Sequence, residues 1–110
     1  MLNRPIFWVS SSKDDLREFP ASARRKAGFQ LQALQRGDAP ADFKLMRSIG
    51  PGVVEIRINT GNAYRIFYVA KFAECIYVLH AFRKKAQRTS KRDIQLGRQR
   101  YRTLLKHRQG

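Results

Sequence analysis

Apolar and polar residues follow a two-residue period, or apolar residues form short runs, in four stretches of the chain. These stretches cover residues 6–9, 53–59, 64–71 and 75 to about 84. β-Branched and aromatic residues are frequent in all four, which is typical of strands. The connections at 60–62 and 73–74 are short enough for hairpins, so we predict that the last three strands form an antiparallel meander.

Helix caps and apolar residues at three- and four-residue spacing predict helices in the remaining segments. Serines 10–12 precede a short helix that ends near Phe19, and a second helix begins at Pro20 or Ala21 and stops at Gly37. Its apolar positions are Ala23, Ala27, Leu31 and Leu34. Segment 38–52 contains two prolines and two glycines and is predicted to be a loop.

A third helix is predicted to follow Ser90, which is a good N-cap residue with Asp93 three positions later. The apolar stripe of this helix consists of Ile94, Tyr101, Leu104 and Leu105. The element order is therefore β-α-α-β-β-β-α. We expect a single α+β domain over residues 1–110, with a small, mainly antiparallel sheet and the helices packed on one of its faces.

Strand alternation predicts which side chains share a face of the sheet. In the strand at 53–59, Val54, Ile56 and Ile58 would face the core, and Arg57 would project from the outer face. The same alternation in the next two strands places Arg65 and Lys85 on one open face with Arg57. It directs His80 into the core as a hydrogen-bonded residue.

Positive charge dominates the composition and is concentrated near the C-terminus. The chain contains 23 Lys and Arg residues against 8 Asp and Glu, a formal net charge of +15. From Arg83 onward there are 11 Lys or Arg and one acidic residue, Asp93, so 11 minus 1, or +10, lies in the last quarter. An excess of this size favours a polyanionic partner, and nucleic acid is the commonest one.

Several classes of protein and of site are disfavoured by the same sequence. No apolar run approaches the roughly 18 residues of a membrane span, and polar residues interrupt any signal-peptide core near the N-terminus. Cys75 is the only cysteine and is expected to be a core residue, which is consistent with a reducing compartment. We therefore expect a cytoplasmic protein. The sequence has no cluster with metal-ligand spacing, and it predicts no metal and no cofactor.

The order of elements and four motifs resemble the RelE/ParE superfamily of type II toxin–antitoxin systems, and within it the HigB-like, phage-derived branch. The motifs are Gly50-Pro-Gly-Val-Val-Glu-Ile-Arg-Ile, Ala63-Tyr-Arg-Ile-Phe-Tyr-Val, the run 76–85, and Arg92-Asp93-Ile94. The resemblance is strongest from about Lys44 to Ile94. It implies an mRNA endoribonuclease that acts on the ribosome and inhibits translation. It also implies a cognate helix-turn-helix antitoxin, and contact with operator DNA through the antitoxin complex.

The resemblance assigns roles to three cations, Arg57, Arg65 and Lys85, at positions where RelE-type toxins carry basic site residues. Two departures accompany it. Glu55 lies where RelE carries a lysine, and no tyrosine follows Lys85 at the start of the last helix. The second departure leaves the general acid and base without an assignment.

RNA cleavage without a metal proceeds by attack of a 2′-hydroxyl on the adjacent phosphate, and cations must stabilise the developing charge. We expect Arg57 and Arg65 to bind that phosphate with their fork-shaped donors. Lys84 or Lys85 is expected to take part in proton transfer, because adjacent cations disfavour the charged form of a lysine. Further cations are expected to hold the RNA backbone, namely Lys44, Arg47, Arg83, Lys91 and Arg92.

Two other functions stay open from the sequence alone. The ParE branch shares the fold and inhibits DNA gyrase by binding it. A non-catalytic protein would use the same positive charge to bind nucleic acid without specificity for the nucleotide sequence.

Overall fold

The computed structural model describes residues 3–110, so the first two positions of the domain predicted over 1–110 lie outside the described residues. The described chain contains five strands and three helices. The strands are β1 (Ile6–Trp8), β2 (Phe43–Leu45), β3 (Val53–Asn59), β4 (Ala63–Val69) and β5 (Ile76–Lys84). The helices are α1 (Ser12–Arg17), α2 (Ala21–Gln35) and α3 (Lys91–Gln109).

All strands join one mixed sheet in the order β1-β5-β4-β3-β2. β3, β4 and β5 form the predicted antiparallel meander, and β1 adds to β5 in parallel. The α+β class and the mainly antiparallel sheet are therefore confirmed. The predicted end of α2 at Gly37 is also confirmed, because Gly37 has a φ of +92° and its N–H donates to the carbonyl of Leu34 at 3.0 Å.

The prediction that the helices lie on one face of the sheet is wrong. The buried residues of α2 pack with Ile56, Ile66 and Val78 on one face, which we call the α2 face. On the other side, the α3 face, Tyr101 and Leu104 of α3 pack with Phe67 and Val69. The near-continuous apolar runs of β4 and β5 explain this, because such strands are buried on both faces.

The predicted loop at 38–52 contains the second strand, which the sequence analysis missed. β2 pairs antiparallel with β3, with Lys44 opposite Glu55. The strand is only three residues long and is flanked by prolines and glycines, so turn signals dominate the segment. Gly50 then passes close to α3, where a Cβ atom would lie 2.8 Å from the ring of Tyr101.

A β-bulge in β5 changes the predicted faces of the residues that follow it. Phe67 of β4 pairs with His80 and the next residue, Tyr68, pairs with Val78, so Leu79 has no partner on β4. The extra residue reverses the alternation after it. His80, Phe82 and Lys84 consequently lie on the α3 face.

Helix α3 is fixed at both ends. The hydroxyl of Ser90 accepts a hydrogen bond from the N–H of Asp93 at 3.1 Å, which confirms the predicted cap. Near the C-terminus, Arg108 donates to Glu74 at 2.6 Å and lies 3.6 Å from the centre of the Phe72 ring. The hydrogen bond from Arg108 lowers the pKa of Glu74 to about 2. Cys75 is buried with a free thiol, as predicted.

Candidate RNA-binding site

Arg57 and Arg65 are direct cross-strand partners on β3 and β4, so their side chains share the α3 face, as predicted. Between them lies the carboxylate of Glu55. Its Oε1 is 3.4 Å from Nε of Arg57 and 3.7 Å from Nε of Arg65. Two guanidinium groups thus share one carboxylate.

This cluster is more enclosed than the predicted open face. Arg65 is 8% exposed and Glu55 is 2% exposed, whereas the side chain of Arg57 is one-third exposed. Arg65 donates from Nη1 to the carbonyl of Tyr64 at 2.9 Å. Among residues 3–110, neither its buried Nε nor the buried Oε2 of Glu55 has a hydrogen-bond partner. Buried donors are rarely left unpaired, and a bound anion is one of the usual reasons. One carboxylate between two arginines leaves a surplus positive charge beside that free donor.

Lys84, and not Lys85, shares this face. Lys84 is the last residue of β5 and lies opposite Ala63, two positions from Arg65 on β4. Lys85 follows the strand and is exposed. Unbroken alternation along β5 predicted Lys85 on this face, and this placement is wrong because the bulge at Leu79 puts Lys84 there instead.

Beyond Phe82, which lies opposite Arg65, the surface forms a cleft of about 420 Å³. The cleft is defined by the end of β5, the following loop and the first turn of α3. Its walls carry three predicted cations from the β5 end, one from α3 and one that was not predicted: Arg83, Lys84, Lys85, Arg92 and Arg88. The N-terminal end of α3 also lies at this cleft, because Ser90, Arg92 and Asp93 line it, and the positive end of a helix dipole favours anions.

Asp93 is the carboxylate among the residues that line the cleft. It accepts from the hydroxyl of Ser90 at 2.7 Å and lies 2.7 Å from Nε2 of His80. Arg100 lies 3.1 Å from the other ring nitrogen of His80 and also donates to Asp15 at 2.7 Å. These contacts fit a neutral His80 that donates to Asp93 and accepts from Arg100.

His80 is buried and hydrogen-bonded, as predicted, but it lies on the face of Arg65 and not on the opposite side. Burial lowers the pKa of His80, the hydrogen bond to Asp93 opposes that shift, and the charge of Arg100 adds to it. A neutral His80 at neutral pH connects β5 to the start of α3. It therefore fixes the wall of the cleft.

The other three predicted cations lie on β2, on α3 and in the turn after β2. Lys44 is exposed on β2 opposite Glu55, so it extends the arginine pair toward the edge of the sheet. Lys91 is exposed in the first turn of α3. Arg47 is exposed in the turn after β2. None of these three lines the cleft at the end of β5.

Four residues of this region were not recognised as site residues from the sequence, namely Glu55, Arg88, Asp93 and Arg100. Glu55 stood out only as a departure from the expected lysine. Arg100 lies far along the chain from the residues it contacts, so no local pattern could reveal its role. Among residues 3–110, no three His, Cys, Asp or Glu side chains are grouped as a metal site would require.

None of the helices within the described residues is both long and apolar enough to cross a membrane. No curated protein matches the chain in a sequence comparison. A protein-family comparison does give a match: residues 14–102 fit the family described as "Phage derived protein Gp49-like (DUF891)". The matched range includes β3, β4 and β5 in full and α3 as far as residue 102. The chain therefore belongs to the phage-derived Gp49-like family, a RelE-like family associated with toxin–antitoxin systems.

Proposed function

We propose that this protein is the toxin of a type II toxin–antitoxin system and cleaves mRNA on the ribosome without a metal ion. The observation that carries the proposal is the arginine cluster, in which two guanidinium groups share one buried carboxylate. Within residues 3–110, the Nε donor of Arg65 in this cluster has no hydrogen-bond partner. A phosphate would supply both the missing acceptor and the missing negative charge. The cations of the adjoining cleft would bind further phosphates of the RNA backbone.

In the proposed reaction the 2′-oxygen attacks the neighbouring phosphorus, and the bond from phosphorus to the 5′-oxygen breaks. The products are a 2′,3′-cyclic phosphate and a free 5′-hydroxyl. Arg57 and Arg65 stabilise the charge that develops on the phosphate. Glu55 contacts both arginines while it is buried itself, so it acts as a positioning residue.

Two groups at the cleft are suited to the proton transfers. Lys84 shares the face of the arginines and donates a proton to the leaving 5′-oxygen. Asp93, held in place by Ser90 and His80, accepts the proton of the 2′-hydroxyl. Both groups belong to residues that line the cleft.

A reporter mRNA incubated with purified protein, with and without translating ribosomes, tests the proposal. We expect cleavage in the presence of ribosomes, and its loss in the variants Lys84→Ala and Asp93→Asn, provided that circular dichroism shows them to be folded. A parallel supercoiling assay with DNA gyrase should show no inhibition. Gyrase inhibition with intact mRNA would instead assign the ParE-type function, and tight RNA binding without cleavage would assign a non-catalytic one.

A further inference from the structure

The outer edge of β2 has the features of a docking site for another polypeptide. β2 is the last strand of the sheet and, within the described part of the chain, pairs only with β3. Such edges attract additional strands, and proteins usually shorten, charge or cover them. Here the edge carries Phe43 and Leu45, which are 47% and 54% exposed, with Phe29 of α2 at 64%.

Backbone hydrogen bonds define which groups of β2 are free. The N–H of Arg57 donates to the carbonyl of Asp42, and that of Met46 donates to the carbonyl of Val53, both at 2.9 Å. Paired residues alternate along an antiparallel ladder, so Asp42, Lys44 and Met46 face β3. The N–H and C=O groups of Phe43 and Leu45 therefore point to the open edge, at the spacing that an incoming strand requires.

The two sides of this edge differ in chemistry. Phe43 and Leu45 lie opposite Ile56 and Val54, so their side chains are on the α2 face, where Phe29 also lies. Lys44 is on the α3 face and lies opposite Glu55, whose neighbour on the same face of β3 is Arg57. A strand added beyond β2 would thus place alternate side chains beside an apolar surface and beside Lys44, which lies between Asp42 and Met46 on the α3 side of the edge.

We infer that the β2 edge binds an extended segment of a partner protein in which apolar and acidic residues alternate. Under the proposed function that partner is the antitoxin, and its acidic side chains would reach Lys44 at the margin of the arginine cluster. A second copy of the chain fits poorly, because antiparallel pairing of two β2 strands centred on Lys44 would bring like charges together on proteins of net charge +15. Charge complementarity and the free backbone groups both favour an acidic strand.

Selection of displayed ten-residue peptides on the purified protein tests this inference. Counter-selection uses Leu45→Pro, which removes an outward-facing N–H and leaves the hydrogen bonds to β3 in place. We expect enriched peptides to alternate apolar and acidic residues, to bind the parent at least about tenfold more tightly than Leu45→Pro, and to slow amide exchange at Phe43 and Leu45. Leu45→Ala, which keeps the N–H, should lose less affinity than Leu45→Pro.

A charge exchange provides a test that does not depend on the folding of the proline variant. Lys44→Glu should weaken the acidic peptide about tenfold, and the same peptide with lysine at its acidic positions should bind Lys44→Glu better than the parent. Equal binding to the parent and Leu45→Pro, or enriched peptides without alternation, would overturn the inference. Protection of the same two amides by oligouridine, with no peptide enriched, would make the edge an RNA surface and also overturn it. The assay measures no cleavage, so its failure leaves the proposed ribonuclease to be judged separately.

Discussion

Replacement of Glu55 by glutamine isolates the role of the shared carboxylate. The substitution Glu55→Gln keeps the size of the side chain and removes the one negative charge that lies within 3.4 Å and 3.7 Å of the two arginines. At an effective dielectric constant of about 20, unit charges at these separations attract by roughly 4–5 kcal/mol per pair. The side chain of Arg57 is one-third exposed, so solvent screens its part of this attraction.

Loss of one partner from a buried ion pair typically costs about 3–5 kcal/mol, because the remaining charge is left uncompensated. We expect a loss near the lower limit, about 3 kcal/mol in the free energy of unfolding. For a chain of this size the melting temperature would fall by roughly 10–15 °C. Sulfate should restore more stability to Glu55→Gln than to the parent, because two arginines without a counter-charge bind an anion more strongly.

Chemical denaturation followed by circular dichroism, with and without added sulfate, measures both effects. Asp14→Asn is the matched control, because it removes the same charge from a side chain that is 79% exposed in a surface pair. It should change stability by less than about 0.5 kcal/mol. If Glu55→Gln is as stable as this control and shows no extra response to sulfate, the carboxylate does not hold the two arginines together.

Three other predictions concern the lysines that follow the bulge, the buried His80, and Gly50, which lies against the Tyr101 ring. Lys84→Ala should reduce cleavage of a reporter mRNA by about 10²-fold or more, whereas Lys85→Ala should reduce it by less than about tenfold, and equal losses would contradict the face assignment. The free energy of unfolding should decrease as pH falls below about 6.5, because the depressed pKa of His80 means that the unfolded chain binds the proton more readily. His80→Gln should flatten that part of the pH profile, and an unchanged slope would assign it to other groups. Gly50→Ala should cost about 1–3 kcal/mol in thermal denaturation, since its Cβ would meet the Tyr101 ring at 2.8 Å, and an unaltered melting temperature would show that the ring moves freely.

Most of the fold could be predicted from local patterns. Alternation, apolar runs and short connections indicated four strands, and caps with apolar spacing indicated three helices. β2 was missed because three residues between turn signals carry too little periodicity to stand out. The apolar runs of β4 and β5 indicate strands that are buried on both faces, which requires helices on both sides of the sheet. The prediction was wrong because antiparallel sheets commonly have one solvated face.

The site was only partly predictable for a physical reason. Alternation across a regular hairpin predicted that Arg57 and Arg65 share a face, and the structure confirms that they are cross-strand partners. The placement of Lys85 on the face of the arginines was wrong because one unpaired residue, Leu79, reverses the alternation of all later residues of β5. An apolar strand carries no sequence signal for such a bulge. Arg100 and Asp93 meet His80 only through tertiary packing of α3 on β5.

Single-turnover cleavage of one reporter mRNA on the ribosome, with chemical identification of the RNA ends, tests the central role of the arginine cluster most directly. The parent should leave 2′,3′-cyclic phosphate and 5′-hydroxyl ends, and Arg65→Ala should lower the rate by about 10²–10³-fold. Arg36→Ala, which removes an equal charge from an exposed residue at the end of α2, should cleave like the parent. Undiminished cleavage by folded Arg65→Ala, or products with 3′-hydroxyl and 5′-phosphate ends, would contradict the proposed site and chemistry.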